Sequence, residues 1–282
     1  MNAAMPRYDL GRCRSDRIRR TGAPPCLFCV LLTAMIRLWR PGCLAVWFAV
    51  IFLVVAGRCR AEQAGTDTIS QMRSPDIDQW RLIVPVKCQS TAKSRLHPPS
   101  GVARADLAHA IALDTITAAL ASIPPAHLVV VTSDEHTATF VRGQSGIVIP
   151  DQGGGLNAAI RLGIGYVERV LGSGPTAVLL GDIPALRPQD LVDALSACLA
   201  HPRALVPDAS GTGTVLLSAL SAGDLQPRFG PDSAAEHSRD AVRLDLDLAS
   251  LRTDVDDDQA LRLAIAIGVG RHTAAMLGLG SG

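Results

Sequence analysis

Lysine is almost absent from this chain. Only two of its 27 basic residues are lysines, Lys87 and Lys93, and both lie in the single stretch VPVKCQSTAKSRL. A surface position under no constraint would carry arginine in so arginine-rich a chain. The paired lysines therefore indicate a place that requires compact, mobile ammonium charges. The alternative interpretation is an ordinary solvated basic loop.

Cysteine is scarce outside the amino-terminal region. Five of the seven cysteines precede residue 60, and only Cys88 and Cys198 follow. An odd total with two isolated cysteines excludes a disulfide framework for the later part of the chain. Cys26 and Cys29 form a CxxC pair, but no second cysteine or histidine pair stands at zinc-site spacing, so no zinc site is predicted.

The later part of the chain also lacks an excess of positive charge. Residues 72–282 hold 17 basic and 22 acidic residues, a net charge of −5, whereas residues 1–71 hold ten arginines and four acids. Nucleic-acid binding requires a basic face, so no nucleic-acid partner is predicted. Local basic sites for small anions remain open.

The first 71 residues contain no apolar run of the length that a membrane-spanning helix needs. The apolar segment 43–57 is shorter than the roughly 20 residues of such a helix. We weighed a short membrane anchor, an export signal, and an extension upstream of a true start at Met72. The last is favoured, so we expect an extension over 1–71, a single domain over 72–282, no membrane association and a cytoplasmic protein.

From residue 80 onward, short apolar runs alternate with helical patterns. The runs at 81–86, 127–133, 146–150, 176–182, 203–208, 211–220 and 242–247 predict strands. Helices are predicted over 103–123, from 134, and over 156–171, 188–200, 233–240 and 256–267. This alternation indicates an α/β fold with a mostly parallel sheet and helices on both faces. Ligands in such folds bind at the carboxyl ends of the strands.

Charged residues follow two of the predicted strands. Lys87, Lys93 and Arg95 come after the first, where they could surround a triphosphate. Asp182 follows the fourth strand, where a carboxylate can hold Mg²⁺ on phosphate oxygens or cap the next helix.

The stretch TDVDDD contains four more acids. If it is extended, Asp254 and Asp256 point to the same side, and two such carboxylates favour a cation between them. Asp257 and Asp258 are interpreted as ordinary acids of a helix's first turn.

Three loops carry the geometry of anion-binding turns. The glycines at 153–155 open a helix and would let the backbone approach a nucleotide, although neither a P-loop nor a dinucleotide fingerprint is present. The stretch SGTGT offers amide and hydroxyl donors, and Ser233 is predicted as a helix N-cap. His237 is interpreted as structural or exposed rather than catalytic.

Six motifs occur together in one order: PVKxxxxAKSRL, LN in the glycine loop, GDIPAL, GTGT, FGPDSxxxH and DVD. In this order they resemble the CofC-type family, the 2-phospho-L-lactate and phosphoenolpyruvate guanylyltransferases of coenzyme F-420 biosynthesis. The resemblance covers 81–267, and the composition and the stretch RFGPDS look most like the actinobacterial branch, which uses phosphoenolpyruvate.

The resemblance implies a nucleotidyltransferase fold like that of molybdenum-cofactor guanylyltransferases, with Mg²⁺ as cofactor. It implies transfer of GMP from GTP to phosphoenolpyruvate with release of pyrophosphate. The sequence does not determine the oligomeric state, and a homodimer is one possible assembly. The site residues that it implies fall into three groups. They are Thr214, Gly230 and Ser233 for the phospho-acid; Asp182, Asp254 and Asp256 for metal; and Lys87, Lys93, Arg95, Gly155 and Asn157 around GTP. Of the last group, Lys87, Lys93 and Arg95 are also the expected catalytic residues.

One motif departs from the family pattern, and several alternatives stay open. The family commonly reads DVDTP where this chain reads DVDDD, which places extra negative charge beside the predicted metal site. The acceptor could instead be 2-phospho-L-lactate or 3-phosphoglycerate. A membrane-tethered glycosyltransferase also uses a spaced acidic pair on a similar sheet, and a non-catalytic homologue would fit the altered motif.

Overall fold

The computed structural model describes residues 76–87, 96–99 and 101–279. All of them belong to the second of two units, Thr68–Gly282, into which the chain divides. The predictions made for residues 1–71, and those for Lys93 and Arg95, lie outside the described residues.

A seven-stranded sheet forms the centre of the described unit. Its strands are β1 Arg81–Val86, β2 Leu128–Thr132, β3 Ile147–Pro150, β4 Thr176–Leu179, β5 Arg203–Pro207, β6 Thr214–Ala219 and β7 Val242–Arg243. They lie side by side in the order β3-β2-β1-β4-β6-β5-β7. The prediction of an α/β fold with a mostly parallel sheet is confirmed.

One strand runs against the others. β6 pairs antiparallel with both β4 and β5, while the remaining neighbours are parallel. The reason is the short connection from Pro207 to Thr214. A parallel crossover needs a dozen or more residues, so this connection can only reverse the chain. The sequence pattern did not predict this reversal.

Eight α-helices are present in the described residues. They are α1 Arg104–Ser122, α2 Glu135–Gly143, α3 Leu156–Tyr166, α4 Pro188–Cys198, α5 Ser233–His237, α6 Ala249–Arg252, α7 Asp258–Ile267 and α8 Arg271–Met276. A π-helical turn, Val167–Leu171, prolongs α3. α5 is shorter than the predicted helix over 233–240, β7 ends well before 247, and α6 and α8 were not predicted.

The apolar core lies on both faces of the sheet. Along β1, Leu82, Val84 and Val86 belong to one buried cluster and Ile83 to the other, as the period of two in a strand requires. Covering both faces leaves the ends of the strands as the place where a ligand can enter.

Within the part of the chain described, no helix has both the length and the apolar character needed to cross a membrane.

Candidate active site

A cavity of about 680 Å³ opens at one edge of the sheet. The carboxyl ends of β1 and β4 reach it with Lys87 and Asp182. Because β6 is antiparallel, its first residue, Thr214, arrives at the same edge, next to the carboxyl end of β5. The reversed strand therefore brings a hydroxyl-rich loop beside the acidic strand ends.

Gly181 allows the end of β4 to approach the end of β1 closely. A Cβ placed on Gly181 would lie 3.0 Å from the Pro85 carbonyl oxygen and 3.0 Å from Val86 Cγ2. Contacts this short with backbone cannot be relieved by moving a side chain. The glycine therefore keeps the floor of the cavity compact and fixes the starting point of Asp182.

A backbone hydrogen bond brings the predicted metal-binding aspartates together. The Val255 N–H donates to the Asp182 carbonyl oxygen at 2.9 Å, so the DVD segment runs alongside the GDIP loop. The Val255 side chain is fully buried in a core cluster. Its neighbours Asp254 and Asp256 both line the cavity, together with Asp182.

Burial, together with a cluster of carboxylates, raises the pKa of Asp254. Burial of this side chain is the largest cause, and the negative charges of Asp182, Asp256 and Asp208 add to it, so that the pKa rises from 3.8 to about 8. Like charges held this close favour the uncharged form unless a cation compensates them. The field in the cavity is therefore one that attracts cations.

Asp208 is a site residue that the sequence analysis missed. It follows β5 directly and lines the cavity. Its carboxylate accepts hydrogen bonds from the Gly213 N–H at 3.0 Å and from Ser210 Oγ at 2.8 Å. Asp208 thereby fixes the SGTG turn that leads into Thr214. The signal that could have found it is its position at a strand end, the same signal that identified Asp182.

The donors present suit Mg²⁺ bound jointly by protein and substrate. Mg²⁺ usually keeps one or two carboxylates and takes its other ligands from water and substrate phosphates. Among the residues described, no three acidic, histidine or cysteine side chains surround a common point closely enough to hold a metal alone. The described residues therefore fit a metal site in which two aspartates and substrate phosphate oxygens are the ligands. They do not fit a metal site with protein ligands only.

The two extra aspartates of the altered motif have local partners. Asp257 is the N-cap of α7, and its side chain accepts the Ala260 N–H at 2.9 Å. The Asp258 carboxylate accepts the His97 N–H at 2.6 Å. Both interactions are formed away from the cavity lining, and they account for acids at these positions without a metal-binding role.

A second group of residues forms a hydroxyl-lined wall of the cavity. Thr214 and Ser233 are buried, and Ser233 Oγ donates to Thr214 Oγ1 at 3.3 Å. Gly230 lines the same cavity. The N-cap of α5 is Asp232, which has a left-handed backbone conformation, and Ser233 is the first helical residue. The prediction of Ser233 as N-cap is wrong by one residue. As the first residue of α5, Ser233 directs its hydroxyl towards Thr214.

Comparison with known proteins decides the family. The family model described as "Guanylyl transferase CofC like" matches residues 80–278. The chain belongs to this CofC-like family.

Curated members of the CofC-like family resemble the chain over most of their length. A phosphoenolpyruvate guanylyltransferase of Streptomyces scabiei is 45% identical over 205 residues, covering 70% of this chain and 95% of that protein. One from Geodermatophilus obscurus is 44% identical over 210 residues, covering 72% and 95%.

Two solved structures that resemble the chain share low sequence identity with it. A complex of Rv0371C with manganese from Mycobacterium tuberculosis has a TM-score of 0.44 and 19% identity, covering 67% of this chain and 98% of that one. A nucleotidyl transferase from Methanothermobacter has a TM-score of 0.43 and 15% identity, covering 67% and 98%.

The glycine loop of this CofC-like protein forms the amino-terminal entry to α3. Gly153, Gly154 and Gly155 all have φ between 84° and 91°, a region that favours glycine. Asn157 in α3 holds the Phe229 backbone from both sides, donating to its carbonyl at 2.8 Å and accepting its N–H at 2.9 Å. Gly155 and Asn157 are not among the residues that line the cavity, and their role at the nucleotide stays a prediction.

Lys87 is the one described member of the predicted triphosphate loop. It is exposed and lines the cavity at the end of β1. Lys93 and Arg95 lie outside the described residues, so their place at GTP stays a prediction. The glycosyltransferase alternative is set aside because the family model covers the whole span of the motifs.

Proposed function

We propose that this CofC-like protein transfers GMP from GTP to the phosphate of phosphoenolpyruvate, forming enolpyruvoyl-diphospho-guanosine and pyrophosphate for coenzyme F-420 biosynthesis. The observation that carries the proposal is the meeting, in one cavity, of a hydroxyl-lined wall with a cluster of aspartates. Such a cavity can receive two phosphorylated molecules side by side. The relatives named phosphoenolpyruvate guanylyltransferase support the identity of both substrates.

The hydroxyl wall is the proposed acceptor subsite. Thr214 supplies a hydroxyl at the start of β6, Ser233 donates to that hydroxyl from the start of α5, and Gly230 leaves backbone accessible beside them. Hydroxyl and amide donors recognise phosphate and carboxylate oxygens without adding a full positive charge. This combination suits a small molecule that carries both groups.

The aspartate cluster and Lys87 form the proposed nucleotide end. Asp182, Asp254 and Asp256 are the carboxylates from which Mg²⁺ would take one or two ligands, and the bound ion would supply positive charge that offsets the charge of the phosphates. Lys87 would contact the triphosphate, together with Lys93 and Arg95. Burial and the charges of three other carboxylates raise the pKa of Asp254, and a cation bound here would compensate the negative charge that this group gains on ionisation.

The reaction needs positioning more than proton transfer. An oxygen of the acceptor phosphate forms a bond to the α-phosphorus of GTP, and the bond from that phosphorus to the oxygen shared with the β-phosphorus breaks, so pyrophosphate leaves with the bonding electrons. The attacking phosphate is already ionised near neutral pH, so no general base is required. Holding both reactants in line and compensating charge on pyrophosphate accounts for the catalysis.

A pyrophosphate-release assay on the full chain tests this function. GTP and Mg²⁺ are supplied with phosphoenolpyruvate, 2-phospho-L-lactate or 3-phosphoglycerate in separate reactions. We expect release that depends on phosphoenolpyruvate, and a guanylylated product of the matching mass. Release with only one of the other acids would reassign the acceptor, and no release with any acid from a folded protein would indicate a non-catalytic homologue.

Other features of the proposal need their own tests. Removal of divalent cations by EDTA should abolish pyrophosphate release, and Mg²⁺ should restore it.

Deletion of residues 1–71 should leave the kinetic constants unchanged if translation begins at Met72. A cytoplasmic location and a homodimer stay predictions, to be examined by fractionation of cells and by light scattering.

A further inference from the structure

His237 lies behind the acceptor subsite and uses both ring nitrogens. The residue is buried, with a relative exposure of 1%. Its Nδ1 lies 3.0 Å from Thr214 Oγ1. Its Nε2 lies 2.9 Å from the backbone nitrogen of Arg228, and its ring packs edge-on against Phe229 with 4.8 Å between the ring centroids.

The partner at Nε2 fixes the position of the ring proton. A backbone N–H can only donate, so Nε2 accepts from Arg228 and carries no proton. Burial, with the positive charge of Arg228, lowers the pKa of His237 to about 4, against an opposing effect of Asp240. The neutral ring therefore carries its one proton on Nδ1 and donates it to Thr214 Oγ1.

This donation decides what the Thr214 hydroxyl can do. A hydroxyl has two acceptor positions and one proton. His237 Nδ1–H fills one acceptor position, and Ser233 Oγ fills the other at 3.3 Å. Within the described part of the chain no residue accepts the Thr214 proton, and Thr214 lines the cavity. That proton is therefore left to be donated to a ligand in the cavity.

We propose that His237 is a positioning residue that holds the Thr214 hydroxyl as a hydrogen-bond donor to the anionic acceptor substrate. The inference rests on the proposed function, because it takes the ligand at Thr214 to be the phospho-acid. His237 does not touch the substrate itself. Without the ring N–H, the Thr214 hydroxyl can rotate and donate backwards, and it then presents a lone pair to an anion.

The ring's two contacts can be separated by substitution. In His237→Asn the amide reaches the position of Nδ1, so it can still donate to Thr214, but nothing accepts the Arg228 N–H. In His237→Gln the longer amide reaches the position of Nε2 and can accept that N–H, but the donor to Thr214 is lost. If the ring only supported the turn at Arg228, His237→Asn would impair the enzyme more than His237→Gln.

Steady-state kinetics of both variants test the proposal in the full chain. In His237→Gln we expect KM for phosphoenolpyruvate to rise about tenfold, the effect of losing one well-placed hydrogen bond, with KM for GTP and kcat nearly unchanged. His237→Asn should stay within about threefold of the parent. Impairment of His237→Asn with a normal His237→Gln, or equal changes in both KM values, would overturn the proposal.

A double-substitution cycle and a tautomer measurement keep the test independent of folding. In a Thr214→Val background, His237→Gln should raise KM no further, whereas a full additional increase contradicts the proposal. Nitrogen NMR of the unsubstituted protein should show His237 protonated at Nδ1 and unprotonated at Nε2. Protonation at Nε2 would refute the inference whether or not the variants fold.

The activity of the unsubstituted protein distinguishes a failure of the proposed function from a failure of the inference about His237. If it releases no pyrophosphate with any acceptor, the proposed function fails, while the tautomer result still decides the arrangement at Thr214. If it uses a different phospho-acid, the same KM comparison is made with that acid.

Discussion

Replacement of Asp254 by asparagine should stabilise the metal-free protein while removing its activity. The substitution keeps the shape of the side chain and removes a carboxyl whose ionisation in the folded protein is opposed by burial and by the charges of Asp182, Asp256 and Asp208. Functional sites often store such unfavourable interactions, since the same charges are useful only when a ligand compensates them. The two effects therefore have opposite signs, and both can be measured.

The magnitude follows from the pKa of Asp254. The pKa is 3.8 for an unperturbed aspartate and about 8 in the folded protein. Near pH 7 the difference is equivalent to about 4 kcal/mol of lost stability as an upper bound. The side chain is only partly buried, and solvent screens its repulsion, so we expect about 1–2 kcal/mol. For a domain of this size that raises Tm by about 2–8 °C.

The pH dependence has a definite direction. As pH rises above about 4, the unfolded chain ionises Asp254 first, and the folded state loses stability until the pH passes about 8. The advantage of Asp254→Asn should therefore be absent near pH 4 and largest near pH 8. Thermal unfolding with EDTA at several pH values measures it, and Asp247→Asn, at an exposed position outside the cavity lining, is the matched control.

Activity and ligand-induced stabilisation complete the assay. Addition of Mg²⁺ and GTP should raise Tm of the parent more than that of Asp254→Asn, because the substitution removes a charged ligand. kcat/KM should fall at least about 100-fold. A variant that is less stable than the parent at pH 8 in EDTA, or that keeps its activity, would refute the account of the aspartate cluster.

Three further substitutions probe other parts of the site. Lys87→Ala should lower kcat/KM for GTP about 10- to 100-fold with almost no change in Tm, since the residue is exposed; normal GTP kinetics would remove it from the nucleotide site. Gly181→Ala should cost about 1–3 kcal/mol of stability, because the added Cβ meets the Pro85 carbonyl oxygen at 3.0 Å; an unchanged denaturation midpoint would show that the loop relaxes freely. Asp257→Ala should cost about 1 kcal/mol by removing the cap of α7 and leave kcat much less affected; a large loss of kcat at unchanged stability would place Asp257 in the metal site instead.

The alternation of apolar runs and helical patterns was enough to predict most of the fold. β1 and α1 lie where their patterns indicated, because a short run of branched residues and a long run of helix-forming residues are local signals. The expected amphipathic character of α1 is wrong, because this helix is buried around most of its circumference and not on one face only. The short helices α6 and α8 were missed because four and six residues carry too little periodicity. Their existence depends on packing, for example on Asp114, which accepts the N–H groups of His272 and Thr273 in α8.

Individual residues of the site show which features could be predicted from the local sequence and which could not. Asp182 was found because it follows a strand, and Asp208 was overlooked although it has the same kind of position. Asn157 was placed at the nucleotide by the family motif, while in the structure its amide holds the Phe229 backbone. Such a contact joins residues 72 positions apart and leaves no local trace in the sequence.

The sequence by itself determined the fold class and the family, and it predicted the residue types of the site, because hydrophobic periodicity and ordered motifs are written along the chain. Only the tertiary structure decided that β6 runs backwards and so carries Thr214 to the acidic strand ends. Only the tertiary structure placed a buried, neutral His237 against Thr214. Strand direction follows from sheet pairing, and a tautomer follows from hydrogen bonds between distant residues, so neither can be read from neighbouring positions in the chain.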